Sequence, residues 1–183
     1  MSAVWWLDSE NIFPFFLIAA SVHELFHLFA IFVCNRGYLD GVSLTVDFLC
    51  AEISTGYLPP LHEAICVLAG PLANLLLFFA VMLLPCPAEN LLVLGGISLI
   101  LGIYNLLPIV FLDGGRLLRL LLDTLCTRGA DISFAISLVS SAALCALGLV
   151  FCFLFRCGYG LFALSLTLMI KHLGCKSAAN TLK

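Results

Sequence analysis

Two histidines and a glutamate stand close together between Ser21 and His27. His23 and His27 are four residues apart, a spacing that puts both side chains on one face of an α-helix. Two imidazoles placed in this way can hold one Zn²⁺, and the Glu24 carboxylate beside them can take a proton from a water molecule that the metal activates. The pattern predicts a site for metal-assisted hydrolysis. The alternative is a chance His-Glu-His arrangement on a buried helix.

The surroundings of these residues favour the metal site. They lie within an apolar run from Ile12 to Cys34, which is about as long as the roughly 20 residues needed to cross the apolar core of a bilayer. Ionisable side chains at membrane depth are costly, so they usually mark a functional site. The chance alternative is therefore weaker here than it would be in a soluble protein.

The composition is that of a polytopic membrane protein. Of the 183 residues, 63% are hydrophobic and only 10% are charged, whereas a soluble domain carries about 25% charged residues. The mean hydropathy is +1.17. We predict a single integral-membrane domain over residues 1–183, with the lipid bilayer as its surroundings. The chain has no basic patch, so nucleic acid is not an expected partner.

The apolar runs predict an all-α membrane protein with about five transmembrane helices, at residues 12–34, 64–84, 91–112, 132–155 and 159–173. Between the first two spans, residues 42–48 alternate apolar and polar side chains with the period of a β-strand, and residues 51–54 form a weaker second strand. We expect a small membrane-associated β-hairpin or sheet there, whose edge could receive an extended peptide. An amphipathic loop lying on the membrane is the alternative.

Positive charges indicate the orientation of this five-span arrangement. Seven of the eight basic residues fall on one side: Arg36, Arg116, Arg119, Arg128, Lys171, Lys176 and Lys183. The other side holds only Arg156. Because cytoplasmic loops carry an excess of Lys and Arg, we predict that the N-terminus is outside and the C-terminus is cytoplasmic.

A third metal ligand is sought among the acidic residues after the second span, which are Glu89, Asp113, Asp123 and Asp131. Glu89 falls on the outer side by the charge count, and Asp131 lies in a polar loop. Asp123 is flanked by Arg119 and Arg128, which favours an interfacial ion pair. Asp113 stands between Pro108 and a Gly-Gly pair, and both interrupt a helix. Irregular backbone of this kind is tolerated at membrane depth where it lines a cavity. Asp113 is the favoured ligand, although it could simply mark a helix boundary.

Three motifs occur in the order seen in site-2 proteases, the intramembrane zinc metalloproteases of peptidase family M50. They are His23 to His27, Gly70 to Asn74, and Asn105 to Pro108 followed by Leu112 to Gly115. Together they cover roughly residues 20–120. The chain most resembles the compact bacterial branch that includes a sporulation protease. The resemblance implies one Zn²⁺ per chain in a bacterial cell (inner) membrane.

The resemblance also implies the roles of individual residues. His23, His27 and Asp113 would bind the metal, and Glu24 would be the general base. Two polar amides in apolar segments, Asn74 and Asn105, are candidates for contacts with the substrate or its oxyanion. For Asn74 a simple interhelical hydrogen bond, worth ~1 kcal/mol, is the alternative. The implied activity is zinc-dependent endopeptidase cleavage of a membrane-embedded or membrane-associated protein, in regulated intramembrane proteolysis. A regulatory membrane partner or a homo-oligomer is a further expectation.

The sequence departs from the family pattern in some respects. Phe26 stands where the family most often has glycine. Within these residues we also expect no span before the His-Glu helix and no PDZ or CBS domain. Two other functions are open. A metal or small-solute transporter could use the same ligands, and helices broken at Pro71 and Pro108 would suit it, but no internal repeat is visible. An inactive substrate-binding homologue is disfavoured by the intact Glu24.

Overall fold

A computed structural model describes residues 12–35, 59–155 and 162–171, together with the backbone of two short strands at 43–46 and 51–54. The described residues form two compact units. The first extends to Leu106 and the second begins at Leu107.

The first unit holds the histidine-bearing helix. It consists of α1 (Phe13–Cys34), β1 (Ser43–Val46), β2 (Ala51–Ser54), α2 (Pro60–Met82) and α3 (Glu89–Asn105). Prolines stand in the first turns of α1 and α2, where a missing backbone N–H removes no helical hydrogen bond. The three helices pack against one another. The positions of α1 and α2 agree closely with the predicted spans at 12–34 and 64–84.

Small residues let α2 and α3 approach closely. A Cβ added at Gly102 would lie 3.2 Å from the Pro71 carbonyl oxygen and 3.3 Å from the Asn74 Cβ, while a Cβ added at Gly95 would lie 3.4 Å from Val81. Glycine at such positions lets helix backbones come together without displaced side chains, as is common in membrane bundles. The motif residues of α2 are therefore held tightly from the α3 side.

The two strands pair antiparallel, with Ser43 opposite Ser54 and Val46 opposite Ala51. They occupy the segment where the alternating pattern predicted strands. The connection between them and their side chains lie outside the described residues. The complete hairpin, its association with the membrane and its role toward substrate therefore stay predictions.

The second unit contains α4 (Asp113–Leu125), α5 (Gly129–Phe155) and α6 (Phe162–Lys171). α4 and α5 pack against each other, and α5 approaches α6 closely at Gly148, where an added Cβ would lie 2.9 Å from the Phe162 Cα. α4 begins at Asp113, directly after the predicted span at 91–112.

Three helices are long and apolar enough to cross a membrane: Phe13–Cys34, Pro60–Met82 and Gly129–Leu154. They correspond to the first, second and fourth predicted spans. The chain is a membrane protein, and many of its large apolar side chains are exposed on the helix surfaces. Two shorter apolar helices, Glu89–Asn105 and Phe162–Lys171, occupy the positions of the other two predicted spans.

The predicted span at 91–112 is wrong at its end. α3 ends at Asn105, and residues 106–112 form turns, because Pro108 cannot continue a helical hydrogen-bond ladder. The segment predicted at 159–173 extends beyond the described residues on both sides. The count of five spans and the orientation therefore stay predictions.

Candidate metal centre

The two histidines of α1 face inward together. Both side chains are buried, and their Nε2 atoms are 3.1 Å apart. The rings meet edge to face, with centroids 4.7 Å apart. The spacing of four residues thus has the predicted effect, since it brings two imidazole nitrogens to one point beside α2.

A backbone carbonyl of α2 orients His27. Its Nδ1 lies 2.7 Å from the carbonyl oxygen of Cys66. Because a carbonyl can only accept, Nδ1 must carry the proton and donate it. In the neutral ring the lone pair is then on Nε2, which leaves that atom able to bind a metal. A backbone carbonyl is a common partner for the second nitrogen of a metal-binding histidine.

A side-chain amide of α2 contacts His23. The Asn74 amide nitrogen lies 3.2 Å from His23 Nδ1, and Asn74 is completely buried. The interhelical hydrogen bond expected as one alternative for Asn74 is therefore present. A role for Asn74 toward the substrate or its oxyanion stays a prediction.

Gly70 provides the space in which the imidazoles lie. A Cβ added there would overlap His27 Nε2 and would lie 2.7 Å from His27 Cε1 and 2.8 Å from His23 Cε1. Real Cβ atoms essentially never approach other atoms this closely. The glycine of the Gly-Pro motif is thus required because any side chain at this position would displace the histidine pair.

Asp113 is the first residue of α4, and a constrained turn precedes it. The Val110 N–H donates to the Ser137 hydroxyl at 2.9 Å, and the Leu112 N–H donates to the Ile109 carbonyl at 2.8 Å. Lys171 places its ammonium 4.8 Å from the centroid of the Phe111 ring, an attractive cation–π geometry. The turn is therefore attached to both α5 and α6.

The irregular backbone predicted around Asp113 lies before that residue and ends at Leu112. The N–H groups of Gly115 and Arg116 both bond to the Leu112 carbonyl at 3.1 Å, which makes Asp113 part of an ordinary first helical turn. Gly115 is buried, and an added Cβ would overlap the Ile109 carbonyl. Glycine allows this close approach, so the Gly-Gly pair starts the helix and does not weaken it. A carboxylate in the first turn also interacts favourably with the helix dipole.

His23 and His27, both in the first unit, present two imidazole nitrogens 3.1 Å apart that could serve one metal ion. Asp113, in the second unit, stays the predicted third ligand. The donor chemistry fits zinc. Two neutral imidazoles and one carboxylate are a common catalytic zinc set, and three protein ligands leave a fourth position open. His27 presents Nε2 in the required form, and Gly70 leaves room beside both rings.

Three other residues singled out from the sequence, Glu24, Asn105 and Phe26, lie in different settings. Glu24 is half-buried and follows His23 directly. The Asn105 amide donates to the Leu101 carbonyl of its own helix at 3.1 Å, so its oxyanion role stays a prediction. Phe26 is exposed and packs edge to face with Phe29. The departure at Phe26 therefore does not crowd the histidine pair.

Sequence reasoning missed three contacts that orient the site. They are the Cys66 carbonyl on His27, the Ser137 hydroxyl on the turn before Asp113, and Lys171 over Phe111. A backbone carbonyl leaves no trace in residue type. For Ser137 a signal existed, because buried serines recur every fourth residue of α5, at Ser133, Ser137 and Ser141.

Comparison with known proteins finds a partial family match and one similar fold. Residues 86–148 match the family model of peptidase family M50. A comparison with curated proteins finds none that matches. Among solved structures, the site-2 protease from Methanocaldococcus jannaschii is similar in fold, with a TM-score of 0.65 and 22% sequence identity. The similarity covers 88% of this chain and 76% of that one. A partial match to a metallopeptidase family, a fold similar to that of a site-2 protease and a buried histidine pair thus occur in one chain.

Proposed function

We propose that this chain is an intramembrane zinc metalloendopeptidase of the site-2 protease type, in peptidase family M50. The observation that carries the proposal is the buried pair of imidazoles, whose Nε2 atoms are 3.1 Å apart, with Glu24 adjacent to His23 on an apolar helix long enough to cross a membrane. Asp113 is the proposed third ligand. The family match over residues 86–148 supports it. Ionisable groups at this depth are expensive unless they serve a site.

Each residue of the proposed site has a separate role in peptide hydrolysis. Zinc, when bound, polarises the scissile carbonyl and lowers the pKa of water toward ~7. Glu24 acts as general base: its carboxylate takes a proton from the attacking water and passes it to the nitrogen of the leaving amine. Asn105 is our candidate for stabilising the negative charge that develops on the carbonyl oxygen. The carbonyl of Cys66 keeps His27 in one tautomer throughout.

The proposed substrate is a membrane-embedded or membrane-associated protein, cleaved in regulated intramembrane proteolysis. A helical substrate must first unwind, because helical hydrogen bonds occlude its amides. Pairing of the unwound segment with the β1–β2 sheet would offset this cost by supplying new backbone hydrogen bonds. The antiparallel pairing of the two strands supports this part of the proposal.

The setting of the enzyme is proposed from the sequence. The distribution of basic residues supports an outer N-terminus and a cytoplasmic C-terminus in a five-span domain covering residues 1–183. The motif resemblance supports a bacterial inner membrane and the sporulation-type branch. A regulatory membrane partner or a second copy of the chain is a further proposal.

The decisive experiment removes the base and keeps its size. Wild type and Glu24→Gln are co-expressed with a library of single-span candidate substrates, and Glu89→Gln, at the exposed start of α3, serves as the control. Loss of a general base typically costs about 10²- to 10⁴-fold in rate, so cleavage by Glu24→Gln should vanish while bound zinc is retained. Near wild-type cleavage by this variant would refute the protease mechanism. A transporter that used the same ligands would instead keep substantial metal flux.

A further inference from the structure

The contact between Asn74 and His23 decides which nitrogen of His23 can bind a metal. A neutral imidazole carries one proton, and the partner of Nδ1 determines where that proton sits. His27 has no such freedom, because its Nδ1 faces the Cys66 carbonyl at 2.7 Å. His23 faces a carboxamide, which can offer either a donor or an acceptor.

In the arrangement that the structure shows, the Asn74 amide nitrogen faces His23 Nδ1 at 3.2 Å. The amide donates, so the His23 proton must be on Nε2. That proton then lies between the two Nε2 atoms, which are 3.1 Å apart, and is donated to His27. This chain of hydrogen bonds suits the metal-free site, but it leaves His23 Nε2 protonated and engages the lone pair of His27 Nε2, so neither nitrogen can bind a metal.

A turn of the Asn74 carboxamide about its terminal bond produces the other arrangement. The two ends of a carboxamide have nearly the same size, so the same pocket accommodates either orientation. Within the part of the chain that the structure describes, the Asn74 Oδ1 is buried and has no hydrogen-bond partner. After the turn this oxygen accepts a proton from His23 Nδ1. Both Nε2 lone pairs are then available to one cation.

We propose that Asn74 is a positioning residue for His23, whose carboxamide oxygen holds the Nδ1–H tautomer and so makes Nε2 a metal ligand. The residue is well placed for this role. It is completely buried, and α3 confines its backbone, because a methyl group added at Gly102 would lie only 3.3 Å from the Asn74 Cβ. The backbone of Asn74 is thus held beside His23, and a turn of the terminal amide is enough to exchange its donor for its acceptor.

The proposal rests on the proposed zinc site and is tested by zinc affinity. Wild type, Asn74→Leu, Asn74→Asp and the control Ser98→Ala are purified in detergent and titrated with zinc against a fluorescent chelator. Ser98 is also fully buried and lies on α3, but its hydroxyl has no hydrogen-bond partner among the described residues. Loss of such an outer contact typically costs about 10- to 100-fold in metal affinity. We expect that loss in Asn74→Leu, whereas Asn74→Asp, which keeps an acceptor, and Ser98→Ala should bind zinc like wild type.

A measurement on the wild-type protein does not depend on how the variants fold. The ¹⁵N chemical shifts of His23 report its tautomer, and we expect the proton on Nε2 without zinc and on Nδ1 with zinc. Wild-type zinc affinity in Asn74→Leu, equal weakening in the Leu and Asp variants, or an Nε2 proton in the zinc-loaded wild type would each overturn the proposal. Failure of the proposed function is distinguishable, because then the wild type would bind no zinc or Glu24→Gln would still cleave.

Discussion

Replacing Gly70 by alanine should weaken zinc binding, because the added methyl group would displace both imidazoles. The added carbon would overlap His27 Nε2 and lie 2.8 Å from His23 Cε1, whereas carbon atoms in contact prefer about 3.5–4.0 Å. The rings would have to move by roughly 0.7 Å or more by that comparison. They cannot move freely, because the Cys66 carbonyl holds His27 and Asn74 contacts His23.

The loss of zinc affinity can be estimated from the narrow range of metal–ligand distances and from the cost of overpacking. Metal–ligand distances must be kept within about 0.2 Å, so a shift of this size separates the ligands from a shared ion. Overpacking a well-packed site costs about 1–3 kcal/mol. Zinc binding would force the rings back against the added methyl group and so would bear this cost. The affinity for zinc then falls by about 5- to 150-fold, at about 1.4 kcal/mol per tenfold change. Cleavage should fall at least in parallel.

The assay is zinc competition against a chelator, with proteolysis measured on the same preparations. Gly96→Ala is the matched control, because a Cβ at Gly96 would meet nothing within 4 Å. It should leave zinc binding unchanged and could strengthen α3 slightly, since alanine is the better helix former. Wild-type zinc affinity in Gly70→Ala would show that the imidazoles do not occupy this position in the working enzyme.

Two further predictions concern the turn before Asp113 and the topology. Ser137→Ala removes the acceptor of the Val110 N–H, so we expect a loss of about 1 kcal/mol in stability and weaker zinc binding. Ser141→Ala, whose hydroxyl bonds within its own helix, should bind zinc normally, and equal effects of the two would contradict the argument. An impermeant thiol reagent applied from outside should label the exposed Cys86 but not the exposed Cys126, and the reverse result would overturn the five-span orientation.

Features that depend on residue type and spacing were predicted from the sequence, whereas features that depend on packing were not. The apolar run that ends at Cys34 and the four-residue histidine spacing were enough to predict α1 and the facing imidazoles. The helix start at Asp113 was not predicted, because glycine lowers helix propensity locally, while the close approach of Gly115 to the Ile109 carbonyl depends on the fold of the preceding turn. The contact of His27 with a backbone carbonyl has no signature in residue type. Hydropathy alone extended the third span through Pro108, although the helix ends at Asn105.

The central claim is that a carboxylate from α4 completes a zinc site with the two histidines. Asp123 offers a matched control on the same helix, because it pairs with Arg119 at 3.6 Å and is exposed. Zinc with two neutral imidazoles and one carboxylate carries a charge of +1, whereas loss of the carboxylate leaves +2 in a low-dielectric site, which is costlier to hold there.

The most direct measurement is therefore the metal content of purified Asp113→Asn and Asp123→Asn, set beside wild type. The account predicts one zinc per chain in wild type and in Asp123→Asn, and strongly reduced zinc with no cleavage in Asp113→Asn. Full zinc occupancy and activity in Asp113→Asn, with loss of both in Asp123→Asn, would remove Asp113 from the site and contradict the account.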